Sequence, residues 1–190
     1  MTARGRTLIL LLAVLLAVGC TRHDHACSTE TVTTPVDPAL LAFLSRARSA
    51  HHIADGQEEQ HPELALATLR TIVDGPLPGR AEARPAEVRE VLADTGARIA
   101  DLESQRQDFE GAVKSVAKAL LSVPDPSYFR GHLFEVLGLV EERRAQFLSH
   151  AGKAAESEQA RARALAAFEQ SMSIQAEVIR AISPDAGNKQ

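Results

Sequence analysis

Residues 93–126 read ADTGARIADLESQRQDFEGAVKSVAKALLSVPDP, and two helices with a tight turn between them are written into that stretch. Ile99 and Leu102 extend an apolar series, Val88, Leu92 and Thr95, at spacings of four and three, which places all five on one face of a helix. Asp108 then stands at a helix start, where a carboxylate accepts from backbone N–H groups that have no intrahelical partner. Phe109, Val113, Val116 and Leu120 repeat the helical spacing, and Pro124-Asp125-Pro126 ends the run.

The flanking sequence is punctuated in the same way. Asp37-Pro38 supplies an N-cap and a first-turn proline, Gly56 closes the segment, and Leu40, Leu44, Ala47 and Ala54 share a face with Phe43 on its flank. His61-Pro62 opens a second helix carrying Leu66, Leu69 and Val73, and Gly75-Pro76 stops it; Pro78-Gly79 makes the next loop. The helix through Val88 begins near Pro85. A fifth helix spans about residues 127–150 through Leu133, Leu137, Val140, Phe147 and Leu148. A sixth ends at Ser183-Pro184 and carries Ala164, Phe168, Val178 and Ile182. No stretch alternates with period two for long enough to make a strand. The expectation is an all-α domain over residues 37–183, built as three consecutive helical hairpins, with 184–190 a disordered tail.

Tandem helix pairs invite a search for a repeat. Residues 93–126 resemble a tetratricopeptide repeat. Asp108-Phe109-Glu110-Gly111-Ala112 is similar to its turn and second-helix start, Ala112 and Ala119 match its small positions, and Val116 its packing position. Pro124 matches its terminal proline, and Ile99 and Ala100 stand where a Leu-Gly pair would be. Small residues at these places let two helices approach closely. Ala65 and Ala164 take the same small position in neighbouring pairs, at distances from Ala112 greater than the roughly 34-residue period. The resemblance implies a short tetratricopeptide-like solenoid; an irregular helical bundle is the alternative. It also implies a partner groove on the first helix of each pair, lined by Asp94, Ala97, Asp101 and Ser104, then by Tyr128, Gly131 and Glu135. Acidic residues there argue against capture of a peptide C-terminus, for which carboxylate-clamp members carry Lys and Asn.

The amino terminus speaks to location. Arg4 and Arg6 precede an apolar run over residues 8–18, too short to span a bilayer, and Gly19-Cys20 follows. Leu16-Ala17-Val18-Gly19-Cys20 resembles the lipobox of bacterial lipoprotein signal peptides, which implies cleavage after residue 19 and acylation of Cys20. Two or three chains there would hold the protein stably on a membrane. Cleavage removes two arginines and no acid, so the net charge falls by two from −4. Thr21 rather than Asp after the cysteine goes, in enterobacteria, with outer-membrane sorting on the periplasmic face. Residues 20–36 are polar and aperiodic and read as a flexible tether. Cys27 is the only other cysteine and has no partner once Cys20 is acylated. His23, His25 and Cys27 alternate, but three ligands on an unstructured tether fall short of a structural metal site.

Composition excludes several functions. Hydrophobic residues make up 45% of the 190, which rules out wholesale disorder, and the acidic balance lacks the basic face of a nucleic-acid binder. There is no Gly-rich phosphate loop, HExxH, GxSxG or CxxC, so the chain is expected to be no enzyme and to need no cofactor. Ser115-Val116-Ala117-Lys118 matches SxxK without its companion motifs and reads as surface on the fourth helix. Glu58 and His61, His132 and Glu135, and the adjacent His51-His52 read as solvated or partly buried groups rather than ligands. Glu141-Glu142-Arg143-Arg144 reads as a solvated face with Glu141 paired to Arg144 at i,i+3. The functional expectation is a membrane-anchored scaffold or adaptor for an envelope protein. The alternative is a metal- or small-ligand-binding envelope lipoprotein using His51, His132 and His150.

Overall fold

A computed structural model describes residues 37–80 and 83–183. The lipobox, Cys20, Cys27 and the tether, together with the tail 184–190, lie outside the described residues. Among those described there are six helices and no strand: α1 (Pro38–Gln57), α2 (Pro62–Val73), α3 (Ala86–Gln105), α4 (Phe109–Leu120), α5 (Tyr128–His150) and α6 (Ala154–Ile182).

The helix starts follow from local chemistry. Asp37 accepts from the Ala39 amide at 2.8 Å ahead of Pro38, Asp108 from Gly111 N at 2.9 Å, and Ser127 from Arg130 N at 3.1 Å. Two turns close with the same backbone pattern. After α5, Gly152 sits at φ 73°, its amide donating to Ser149 O at 3.0 Å while Lys153 N reaches Leu148 O at 2.9 Å. After α3, Gln107 takes the left-handed place at φ 66°, its amide bonding Ser104 O at 3.0 Å and Asp108 N bonding Glu103 O at 2.9 Å. These reversals fold α3 onto α4 and α5 onto α6.

α3 packs on α1, α2, α4 and α5, whereas α6 packs on α5. Its large residues face one way: Val88 and Leu92 join Phe43, Ala47, Ala50 and Ile72, and Ile99 and Leu102 join Ala54, Ala65, Leu66 and Leu69. Its small residues Ala93, Ala97 and Ala100 face the other, against Phe109, Ala112, Val116, Leu133, Val136 and Val140. Burying each large aliphatic side chain contributes about 1.5–3 kcal/mol. Gly96 marks the closest approach to α4, since a Cβ there would lie 2.5 Å from that of Ala119. Between α5 and α6 the same device recurs, a Cβ on Gly138 falling 2.5 Å from the Phe168 ring.

Several expectations are corrected. Phe43 is central to the core rather than on a flank, because α1 faces α2 and α3 through Phe43, Ala47, Ala50 and Ala54, with Leu40 and Leu44 only half-buried. Phe147 and Ile182 are exposed, Phe147 keeping a tilted ring contact with Phe109 at 5.8 Å. The run 141–144 is not a self-paired solvated face. Glu141 is buried against Arg163 of α6 at 2.9 Å, Arg143 reaches Asp101 of α3 at 2.6 Å, and Arg144 meets Glu110 of α4 at 2.8 Å.

Candidate functional site

The first helices of the three pairs adjoin one another, α3 lying against both α1 and α5. On α3, Asp94 is exposed and Asp101 half-buried, while Ala97 and Ser104 are buried in the packing toward the neighbouring helices. On α5, Tyr128 and Glu135 are exposed, and Gly131 is buried beneath Gln175 and Ile174 of α6. Of the expected groove residues, Asp94, Tyr128 and Glu135 are therefore exposed and Asp101 half-buried, while Ala97, Ser104 and Gly131 are covered.

Salt bridges knit this face together. Arg143 donates from Nη1 to Asp101 Oδ1 at 2.6 Å and to Ser104 Oγ at 2.7 Å, joining two of the expected residues through a third that the repeat pattern did not single out. Arg98, also unanticipated, ties α3 to α1 through Asp55 and through Glu58 Oε2 at 2.9 Å. On α5, Tyr128 is 63% exposed and stacks on His132 at 6.2 Å, and His132 Nδ1 lies 3.3 Å from Glu135 Oε2. An exposed aromatic ring held by a neighbour brings contact area at little entropic cost.

No protein family, curated protein or solved structure matches the chain.

Among the described residues, His51, His132 and His150 are not gathered into one site. His132 and His150 are eighteen residues apart on α5, about 27 Å along the axis. His51 is engaged elsewhere: Thr95 Oγ1 gives its proton to Val91 O at 2.7 Å and so accepts from His51 Nε2 at 2.8 Å. Burial holds the His51 imidazole below its ordinary value, against the pull of Asp94, whose Oδ2 is 3.9 Å from Nδ1. Among the described residues no group of three or more His, Cys, Asp or Glu side chains is placed to hold a metal ion.

Ser115 and Lys118 do not address each other either. Ser115 is half-buried rather than on the surface and donates to Glu103 Oε2 at 2.6 Å, while Lys118 Nζ meets Asp74 Oδ1 at 2.7 Å. Glu103, 4% exposed, also takes Arg70 Nη2 at 2.7 Å, so a buried carboxylate on α3 joins α2 to α4. Its position four residues beyond Ile99, beside the buried Leu102, is the sequence signal that could have flagged it.

Proposed function

We propose that this chain is a lipid-anchored adaptor of the bacterial cell envelope. In this reading the α3–α5 face docks an envelope protein, and acylated Cys20 holds it on the periplasmic side of the outer membrane. The observation that carries it is the adjacency of the leading helices of the three pairs, α3 lying against both α1 and α5. Stacked hairpins with that arrangement would make a short tetratricopeptide-like solenoid, whose leading helices present the binding surface. The lipobox-like Leu16-Ala17-Val18-Gly19-Cys20 supports the anchor. The roughly 16 residues after it would span about 20–24 Å as a random coil, which suits a partner itself close to the membrane.

Two measurements test the two halves separately. Cys20→Ser should abolish incorporation of labelled palmitate and leave an unprocessed precursor; continued labelling would defeat the anchor. A photo-crosslinking residue at Tyr128 should capture a membrane-associated protein that the same probe at Lys114, on α4, does not. Equal capture from both positions would defeat the docking face.

A further inference from the structure

A cleft of about 260 Å³ opens between α2, α3, α4 and, from the connection into α3, Leu77 and Arg84. Its walls are apolar, made by Val73, Leu77, Leu92 and Ile99, and Gly96 and Ala119 bring α3 and α4 together beside them. Its polar side chains are three cations, Arg70, Arg84 and Lys118, with Asp74, Ser115 and Ser122.

Two of the three cations are committed. Arg70 is held by Glu103 at 2.7 Å and Lys118 by Asp74 at 2.7 Å. Arg84 is different, since its Nε is buried and has no hydrogen-bond partner among the described residues. A buried N–H of a charged group left without an acceptor is destabilising unless something supplies one. Among the described residues around the cleft, then, three cations face two carboxylates, an excess of one positive charge.

We infer that this cleft binds a small carboxylic acid with an apolar body, its carboxylate on Arg84 and its chain against Val73, Leu77, Leu92 and Ile99. A planar guanidinium matches a carboxylate with two parallel hydrogen bonds. A monoanion closes the local charge balance, whereas a dianion overshoots it. The volume equals that of roughly nine water molecules at about 30 Å³ each, room for a chain of several carbons but not for a folded partner. Pockets with apolar walls and one or two placed polar groups are the usual form of small-ligand sites.

The test is calorimetric titration of the full chain with hexanoate, 1-hexanol and acetate. Hexanoate should saturate one site, with hexanol and acetate each at least tenfold weaker, because one lacks the charge and the other the body. Arg84→Gln should weaken hexanoate at least tenfold and leave hexanol unchanged. Lys118→Gln, at an exposed position, should weaken hexanoate severalfold. Arg80→Gln, on the same loop but outside the cleft, should change nothing. Hexanoate binding no tighter than hexanol, no saturable site below 10 mM, or undiminished binding by Arg84→Gln would each overturn the inference. Should Arg84→Gln lose its cooperative melt, the Lys118→Gln titration decides: unchanged hexanoate affinity there overturns the inference.

Discussion

α3 and α6 are similar in composition, rich in alanine and charged residues, yet they lead opposite lives. Eleven of the twenty residues of α3 are buried, against six of the twenty-nine of α6. The difference lies in neighbours rather than in residue type. α3 has helices on several sides, so its alanines face α4 and α5 while its larger side chains face α1 and α2. α6 packs on α5, and its buried row of Ser157, Ala160, Ala164, Ala167 and Ser171 serves one contact. Leu165, Met172 and Ile179, seven residues apart, are left in solvent. An alanine-rich helix is thus a hub or a flank according to how many sides it is offered.

Truncating one aliphatic side chain in each helix separates their roles most strongly. Leu102→Ala in α3, where the residue is 1% exposed, should destabilise by about 2–5 kcal/mol. Ile179→Ala in α6, 60% exposed, should change stability by less than about 0.5 kcal/mol. Comparable shifts in urea midpoint would mean that α6 is as central as α3. Next in size is the buried carboxylate. Glu103→Ala should destabilise by about 1–3 kcal/mol, because Ser115 loses its acceptor and Arg70 its partner, the latter softened by Arg70 being half in water. Lys118→Ala breaks the exposed pair with Asp74 and should register within about 1 kcal/mol.

A smaller effect, of opposite sign, is expected where α3 turns into α4. Gln107 holds a left-handed backbone that glycine adopts without strain, so Gln107→Gly should raise stability by about 0.5–1 kcal/mol. A lower melting temperature would show that the Gln107 side chain contributes more than its backbone strain removes.

The smallest effect belongs to His51. Its folded pKa lies below the ordinary 6.5 because burial disfavours the charged ring, with Asp94 and Asp55 opposing and Arg98 assisting. The unfolded chain therefore takes up the proton first as pH drops. His51's contribution is complete above about pH 6.5 and is lost as pH falls through the lower folded value. His51→Gln should flatten slightly the decline in melting temperature between pH 7 and pH 5, and an unchanged slope would assign the decline to other groups.

The helical class and the hairpin punctuation could be read directly, because caps and prolines act locally. The stripe Val88, Leu92, Thr95, Ile99 and Leu102 is buried throughout. The second face of α3 was harder to see, since Ala93, Ala97 and Ala100 carry little hydropathic contrast. Which side of α1 turns inward depends on where α2 and α3 lie, and so Phe43 was misplaced. Glu103 and Glu141 are hard to read for a different reason: helical position puts Glu103 on the core side, but a carboxylate reads as solvent-facing until the cation that buries it is known, and those cations sit 33 and 22 residues away. At the candidate face the repeat spacing picked out Asp94, Asp101, Tyr128 and Glu135, which are accessible to varying degrees. It could not tell that Ala97, Ser104 and Gly131 lie under neighbouring helices, nor that Arg98 and Arg143 organise the surface.

The charges of residues 141–144 set the rotation of α5 about its own axis. Glu141, Arg143 and Arg144 reach three different helices, α6, α3 and α4. Each residue advances a helix by about 100°, so one insertion between Tyr128 and Glu141 would swing all three side chains away from their partners together. Loops between these helices can lengthen with little penalty, but α5 admits no change of length ahead of its charges. That segment is a keyed shaft, and the chain's tolerance of insertions should fall to its minimum there.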